Sequence, residues 1–325
     1  MRDLPKVELH LHLEGGAPPA FIRGLAQEKR MDISGIFTED GGYAYRDFNH
    51  FLQVYEAACS VLTGPEEFGR LTRAVLEECA AHGVIYTEVF LSPDFCGGAD
   101  PEAWRDYLAA IRQAAEAVPD ITMRGIVTCV RHFGPDQAKK AAECAADTAG
   151  DFVVGFGMGG AEDAHSPADF KWAFDCAREA GLHITTHAGE WGGAKSVRDS
   201  IEALTPSRIG HGVQSIDDPA LCDLLVERDI TLEVCPGSNV FLGVVPSLDQ
   251  HPIERLRARG VKVTVSTDDP PFFRTTMTKE YEDLARTFGY DDAVFAELNA
   301  NAVDAAYCDA ATKDMIRKKL TPQKG

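Results

Sequence analysis

KVELHLHLEGGAPP, residues 6–19, reads as one short strand that ends at a glycine pair. Side chains alternate faces along a strand, so Glu8, His10 and His12 share one side while Val7, Leu9, Leu11 and Leu13 share the other. Two imidazoles therefore point the same way. That arrangement suits a metal ion, because neutral ring nitrogens can bind zinc without carrying charge into the interior. The residues after the strand bear on the fold. An open, doubly wound sheet would be favoured by a GxGxxG turn after its first strand, and LEGGAPP does not supply one.

Seven more β-rich runs come after VELHLHL (7–13): VIYTEVFLS (84–92), ITMRGIVTCV (121–130), DFVVGFG (151–157), LHITTHA (182–188), RIGHG (208–212), ITLEVC (230–235) and VKVTVST (261–267). Amphipathic stretches lie between them. Asp100-Pro101, Ser166-Pro167 and Asp218-Pro219 each set a capping residue before a proline at the first helical position, and Gly181 and Gly260 mark turns into the next strand. Eight strands alternating with helices predict a parallel sheet closed into a (β/α)₈ TIM barrel, with residues 1–325 forming a single domain. The connection after the first strand is long and holds DFNHFLQVYEAACSVL (47–62). Phe48, Phe51, Leu52 and Tyr55 follow helical spacing there, so extra helices are inserted after strand 1. Their apolar stripe reads either as core or as a lid over the barrel mouth.

A formal charge of −19 with no offsetting Lys/Arg cluster disfavours nucleic acid and anionic membranes as partners and favours a small neutral ligand. The N-terminus lacks a basic segment followed by a long apolar stretch, and no run reaches membrane-spanning length, so a cytoplasmic protein is expected. The nine cysteines form no CxxC pair, which reads as buried reduced thiols and argues against the cytidine-type zinc deaminase pattern. A homo-oligomer is compatible with the sequence and not fixed by it.

Barrel enzymes carry their chemistry at the C-terminal ends of strands. The first strand ends in His10 and His12, the fifth in HITTHAGE (183–190), the sixth in IGHG (209–212) and the eighth in STDDPP (266–271). Closure sets the eighth strand beside the first, so His10, His12, His187 and Asp268 are expected to hold one zinc ion per chain, leaving room for water. Zinc would bring the water's pKa toward about 7. His211 is then placed to orient that water, Glu190 to deliver a proton to a bound substrate, and Asp269 to accept hydrogen bonds from water or substrate.

LHLHLEG, HAGE, IGHG and STDDP, in this order, resemble the adenosine/adenine deaminase family of zinc-dependent barrel hydrolases, over nearly the whole chain. The resemblance implies hydrolytic deamination at purine C6. Glu190 would protonate N1, His211 and Asp269 would assist the water, and ammonia would leave. Family members also carry a glycine-rich turn after strand four, often near DLAGDE, whose backbone N–H contacts the purine. The matching stretch is GMGGAE (157–162), in which Gly160 and Glu162 match while Gly157 and Ala161 replace acidic residues. Glu14 stands where adenosine deaminases frequently carry a ribose-contacting aspartate, and LHLEG also looks like adenine deaminases.

Because LEVCPGSNVFLGVVPSL (232–248) and VSTDDPPFF (265–273) resemble bacterial adenosine deaminases, adenosine, with deoxyadenosine, is the expected substrate. Free adenine or a related modified aminopurine is the alternative. His12, Glu14, Gly160 and Asp269 are the expected substrate contacts. An AMP substrate is disfavoured by the absence of a basic cluster near the motifs. A binuclear amidohydrolase would need a lysine or glutamate ending strand four, which DFVVGFGMGG lacks. A non-enzymatic purine-binding or zinc-binding barrel would not need Glu190, His211 and Asp269.

Overall fold

The computed structural model describes residues 1–321. Eight strands, β1 (Lys6–His12), β2 (Val84–Leu91), β3 (Thr122–Val130), β4 (Val153–Gly159), β5 (His183–Ala188), β6 (Arg208–His211), β7 (Thr231–Val234) and β8 (Val263–Val265), pair in chain order, all in parallel. Leu11 bridges Asp268 just past β8. His12 N donates to Asp268 O and Asp268 N to His10 O, each at 3.1 Å. Those two bonds draw β1 to the last strand and make the sheet a (β/α)₈ TIM barrel, as expected. They also fix the distance between the first strand's histidines and the carboxylate after the eighth.

Strand interiors follow the period-2 rule. Val7, Leu9 and Leu11 point outward into hydrophobic clusters, whereas Glu8 and His10 point into the barrel and are fully buried. Val7 and Leu9 are covered by Ala302, Val303 and Ile316 of the last two helices, Asp292–Ala305 and Ala310–Leu320.

The connection after β1 carries a helix at Pro19–Lys29, a 3₁₀ turn at Ser34–Ile36 and a helix at Phe48–Cys59 before the helix Pro65–Ala81 leads into β2. Asp47 starts the third of these by accepting from His50 N at 2.9 Å, and the helix ends three residues short of the expected stretch. Asp100 and Asp218 cap the helices after β2 and β6 as expected. Ser166 instead caps a 3₁₀ turn, Pro167–Phe170, and the α-helix starts only at Lys171. All nine cysteines are free thiols, eight of them buried. No helix among the described residues is long and apolar enough to cross a membrane.

Candidate active site

His10, His12, His187 and Asp268 come together at the C-terminal end of the barrel. One ligand atom from each lies within 4.8 Å of all the others. Hydrogen bonds on the far side of two rings fix which nitrogen faces the centre. His10 Nδ1 lies 2.8 Å from the Glu233 carboxylate, and His187 Nδ1 lies 2.8 Å from Met158 O. Both partners accept only, so each Nδ1 carries the proton and each Nε2 turns a bare lone pair inward. His10 Nε2 is buried without a partner. His12 Nε2 lies 3.2 Å from His187 Nε2, and Asp268 Oδ1 lies 3.4 Å from both His10 Nε2 and His12 Nε2. Inward lone pairs beside one carboxylate are the donor set of a three-histidine, one-carboxylate zinc centre, so these residues fit the ion.

Electrostatics agree with that donor set. Burial pushes His12 well below its usual range and His187 down to about 4, so both rings are neutral. Against the cost of burial, the neighbouring His10 and the other surrounding imidazoles hold Asp268 well below an ordinary carboxylate. His10 differs. Burial lowers it, but until an ion binds on its Nε2 side the Asp268 and Glu233 carboxylates flanking its two nitrogens outweigh that and raise it to about 9.

Glu190, His211 and Asp269 face the same cleft of about 660 Å³. His211 Nε2 is 3.8 Å from Glu190 Oε2 and 3.9 Å from Asp268 Oδ2. Burial, together with the charges of Asp268 and Glu162, pushes Glu190 well above the usual carboxyl range, and burial with Asp268 does the same to Asp269. Both His211 and Asp268 sit at positive φ, +59° and +69°, a conformation that costs a non-glycine residue and is held by the structure around it. At Gly15 a side chain would overlap Asp269 Oδ1, so the first glycine after β1 is what lets that carboxylate lie where it does.

Gly160 lines the cleft at φ +95°, and a Cβ there would come within 2.7 Å of His132 Nδ1. The helix Phe48–Cys59 covers one side, contributing Phe48, Phe51, Leu52 and Tyr55 to the wall. Its stripe is thus both packed on the core and part of the cleft. Glu14 does not line the cleft. It is buried behind it and accepts from the Tyr55 hydroxyl at 3.3 Å, with its other oxygen unpartnered. Burial raises its carboxyl to about 7.

Four residues bordering this constellation escaped the motif reading, and a fifth, Glu162, was matched there without a role. Glu233 backs His10, Ser238 donates to Asp268 Oδ2 at 2.7 Å, Asn239 and His251 stand behind His211, and Glu162 holds the loop that carries Glu190. Glu233, Ser238 and Asn239 lie in LEVCPGSN, so the fragment used for resemblance also held polar side chains pointing into the barrel. Nothing in the sequence singles out His251.

A family model described as adenosine deaminase matches residues 5–323. The adenine deaminase of Chelativorans sp. (strain BNC1) is 44% identical over 321 residues, 98% of each chain. That of Rhizobium rhizogenes is 44% identical over 319 residues, covering 98% of this chain and 99% of the relative. Among solved structures, the adenine deaminase from Arthrobacter aurescens superposes with a TM-score of 0.87 at 28% identity, over 97% of this chain and 98% of that one. A Burkholderia ambifaria amidohydrolase with bound Zn gives 0.85 at 28% identity, over 98% and 93% of the two chains.

The expectation of adenosine as substrate is corrected by these comparisons. Relatives 40–44% identical over 98% of this chain are named adenine deaminase. The stretches that suggested adenosine, 232–248 and 265–273, contribute Glu233, Ser238, Asn239, Asp268 and Asp269. Those groups surround the metal donors and the proton-carrying residues, and the same stretches add Leu242 and Phe273 to the cleft wall.

Proposed function

The chain belongs to the adenosine deaminase family, and on that premise we propose that it is a zinc-dependent adenine deaminase of the cytoplasm, hydrolysing free adenine to hypoxanthine and ammonia. The observation that carries this reading is the convergence of four metal-type donors with Glu190, His211 and Asp269 on one cleft. The names of relatives that align over nearly their whole length support the free base as substrate. Zinc held by His10, His12, His187 and Asp268 would supply a water ionised near neutral pH.

The chain's own groups do the rest. Glu190, kept protonated by burial, gives its proton to N1 of the ring, which makes C6 electrophilic. Water adds at C6 while His211 and Asp269 hold the attacking oxygen. The amino group takes up a proton and leaves as ammonia, and C6 retains the oxygen. The Gly160 backbone faces the ring from the cleft wall, at a positive φ and so close to His132 that a side chain there is not accommodated. Tyr55, tied to Glu14, closes the wall formed by the Phe48–Cys59 helix.

Following ammonia release from adenine, adenosine and deoxyadenosine separately tests the substrate. Adenine alone should be turned over; preferential release from adenosine would overturn the reading. Elemental analysis should find one zinc per chain, and two tightly bound metals would defeat the mononuclear site.

A further inference from the structure

Behind His211 a file of hydrogen bonds begins at a backbone amide. Ile253 N donates to His251 Nδ1 at 3.1 Å, His251 Nε2 lies 3.2 Å from Asn239 Oδ1, and Asn239 Nδ2 lies 3.1 Å from His211 Nδ1. His251, Asn239 and His211 are all buried, at 2%, 0% and 1% exposure.

The amide at the end of the file sets the direction of the whole. A backbone N–H can only donate, so His251 Nδ1 must accept and cannot carry a proton. His251 therefore has its proton on Nε2 and donates it to Asn239 Oδ1. The other end of that side chain is its NH₂, which donates to His211 Nδ1. That nitrogen must present a lone pair, so the proton of His211 sits on Nε2, the nitrogen facing Glu190 and Asp268. Reversing any link fails. Rotating the Asn239 amide would set its NH₂ against His251 Nε2–H, and moving the His251 proton to relieve that would set Nδ1–H against Ile253 N–H. Each reversal leaves two buried donors face to face, and an unsatisfied buried donor is costly.

We propose that this file fixes His211 as an imidazole that donates from Nε2 into the site, and that Asn239 and His251 are positioning residues for the reaction. Burial, which drives His251 down to about 3, keeps that ring neutral and is consistent with its single proton on Nε2. The resulting division of labour rests on the deaminase reading above. His211 holds the attacking oxygen as a donor and has no lone pair to take its proton. As the oxygen–C6 bond forms, the Glu190 proton goes to N1 and the water's proton goes to the amino group, which leaves as ammonia.

The test is two-bond ¹H–¹⁵N correlation on the zinc-loaded protein labelled at histidine nitrogen, with two variants. The wild type should show His211 protonated at Nε2 and bare at Nδ1. Asn239→Asp offers His211 Nδ1 an acceptor, so that nitrogen should gain a proton, and kcat should fall about a hundredfold with zinc content retained and KM little changed. In His251→Gln the side-chain NH₂ still donates to Asn239 Oδ1, so both the wild-type signature and turnover should survive. Protonated Nδ1 in the wild type overturns the file without any variant needing to fold. Unchanged kcat in an Asn239→Asp protein with the reversed signature overturns the positioning role. A wild type that shows the Nε2–H signature but releases no ammonia from adenine supports the file and refutes the substrate.

Discussion

His10 Nδ1 lies 2.8 Å from Glu233 Oε2, and solvent reaches neither side chain. Glu233 is itself held by Arg208 Nε at 2.6 Å and by Thr185 Oγ1 at 2.9 Å. Burial would raise this carboxyl, but the Arg208 charge and the His10 hydrogen bond bring it down to about 2, so it is ionised. An ionised carboxylate on the far nitrogen orients the ring and makes its inward lone pair a stronger donor. Glu233→Gln keeps the shape and removes the charge. Competition with a chelator should show zinc held about ten- to a hundredfold less tightly, in a protein whose circular dichroism is that of the wild type. Zinc retention equal to wild type would remove Glu233 from the metal's support.

Glu162 holds the loop after β5 by its backbone. Its two oxygens accept from the N–H groups of Gly189, Glu190, Trp191 and Gly192, at 2.5, 3.1, 2.7 and 3.0 Å. A carboxylate receiving four amides fixes the chain that carries Glu190, and its charge is one of the causes raising Glu190. Glu162→Gln disturbs both. Turnover should drop at least about tenfold with zinc content unchanged, and the alkaline fall of kcat should move to lower pH because Glu190 ionises more readily. A pH profile superimposable on the wild type would show that the Glu162 charge does not reach Glu190.

The barrel and its metal donors were legible because both depend on short-range pattern. Alternation along 7–13 places His10 and His12 on one face, and eight β-rich runs separated by helix signals leave little choice of sheet. Closure then brings Asp268 to them, which the His10 and His12 backbone bonds to Asp268 realise. Glu233, Asn239 and His251 were not legible in the same way. Their spacing to the groups they touch, 223 residues for Glu233 to His10 and 28 for Asn239 to His211, is set by tertiary packing. A buried glutamate inside LEVC and an asparagine in a short helix carry no local signal of what they face. Substrate choice was misread for a related reason, since Leu242, Phe272 and Phe273 of the quoted stretches meet the Phe48–Cys59 helix at the cleft wall only through tertiary packing, which no local pattern shows.

Glu190 Oε1 is buried with no partner, and its other oxygen lies 3.8 Å from His211 Nε2. Because burial holds the carboxyl well above its ordinary range, the acid form is present at neutral pH, and activity depending on it is lost as pH rises, not as it falls. Glu190→Gln keeps the volume but has no proton to give. Ammonia release from adenine should fall by about a hundredfold or more, while elemental analysis finds the same zinc. Wild-type turnover in this variant would refute the proton-donor role.

Glu280 gives a pH test away from the metal donors. It lies in the first turn of the helix Met277–Phe288, is 3% exposed, and accepts from Thr275 Oγ1 and, at 3.0 Å, from Gly237 N. Burial raises its carboxyl from the ordinary 4.5 to about 7, with those two hydrogen bonds offsetting part of the rise. The folded chain therefore binds more protons than the unfolded chain between these two values. Stability falls as pH rises through that window and is level above it, a loss at this site of up to about 3 kcal/mol. Glu280→Gln does not titrate, and the Thr275 hydroxyl can turn to meet its amide, so whatever the substitution costs is constant with pH. In urea unfolding from pH 4.5 to 8, the stability of the variant relative to wild type should climb until about pH 7 and then stay flat. A difference that does not change with pH would mean that Glu280 is already ionised at an ordinary pH in the folded protein.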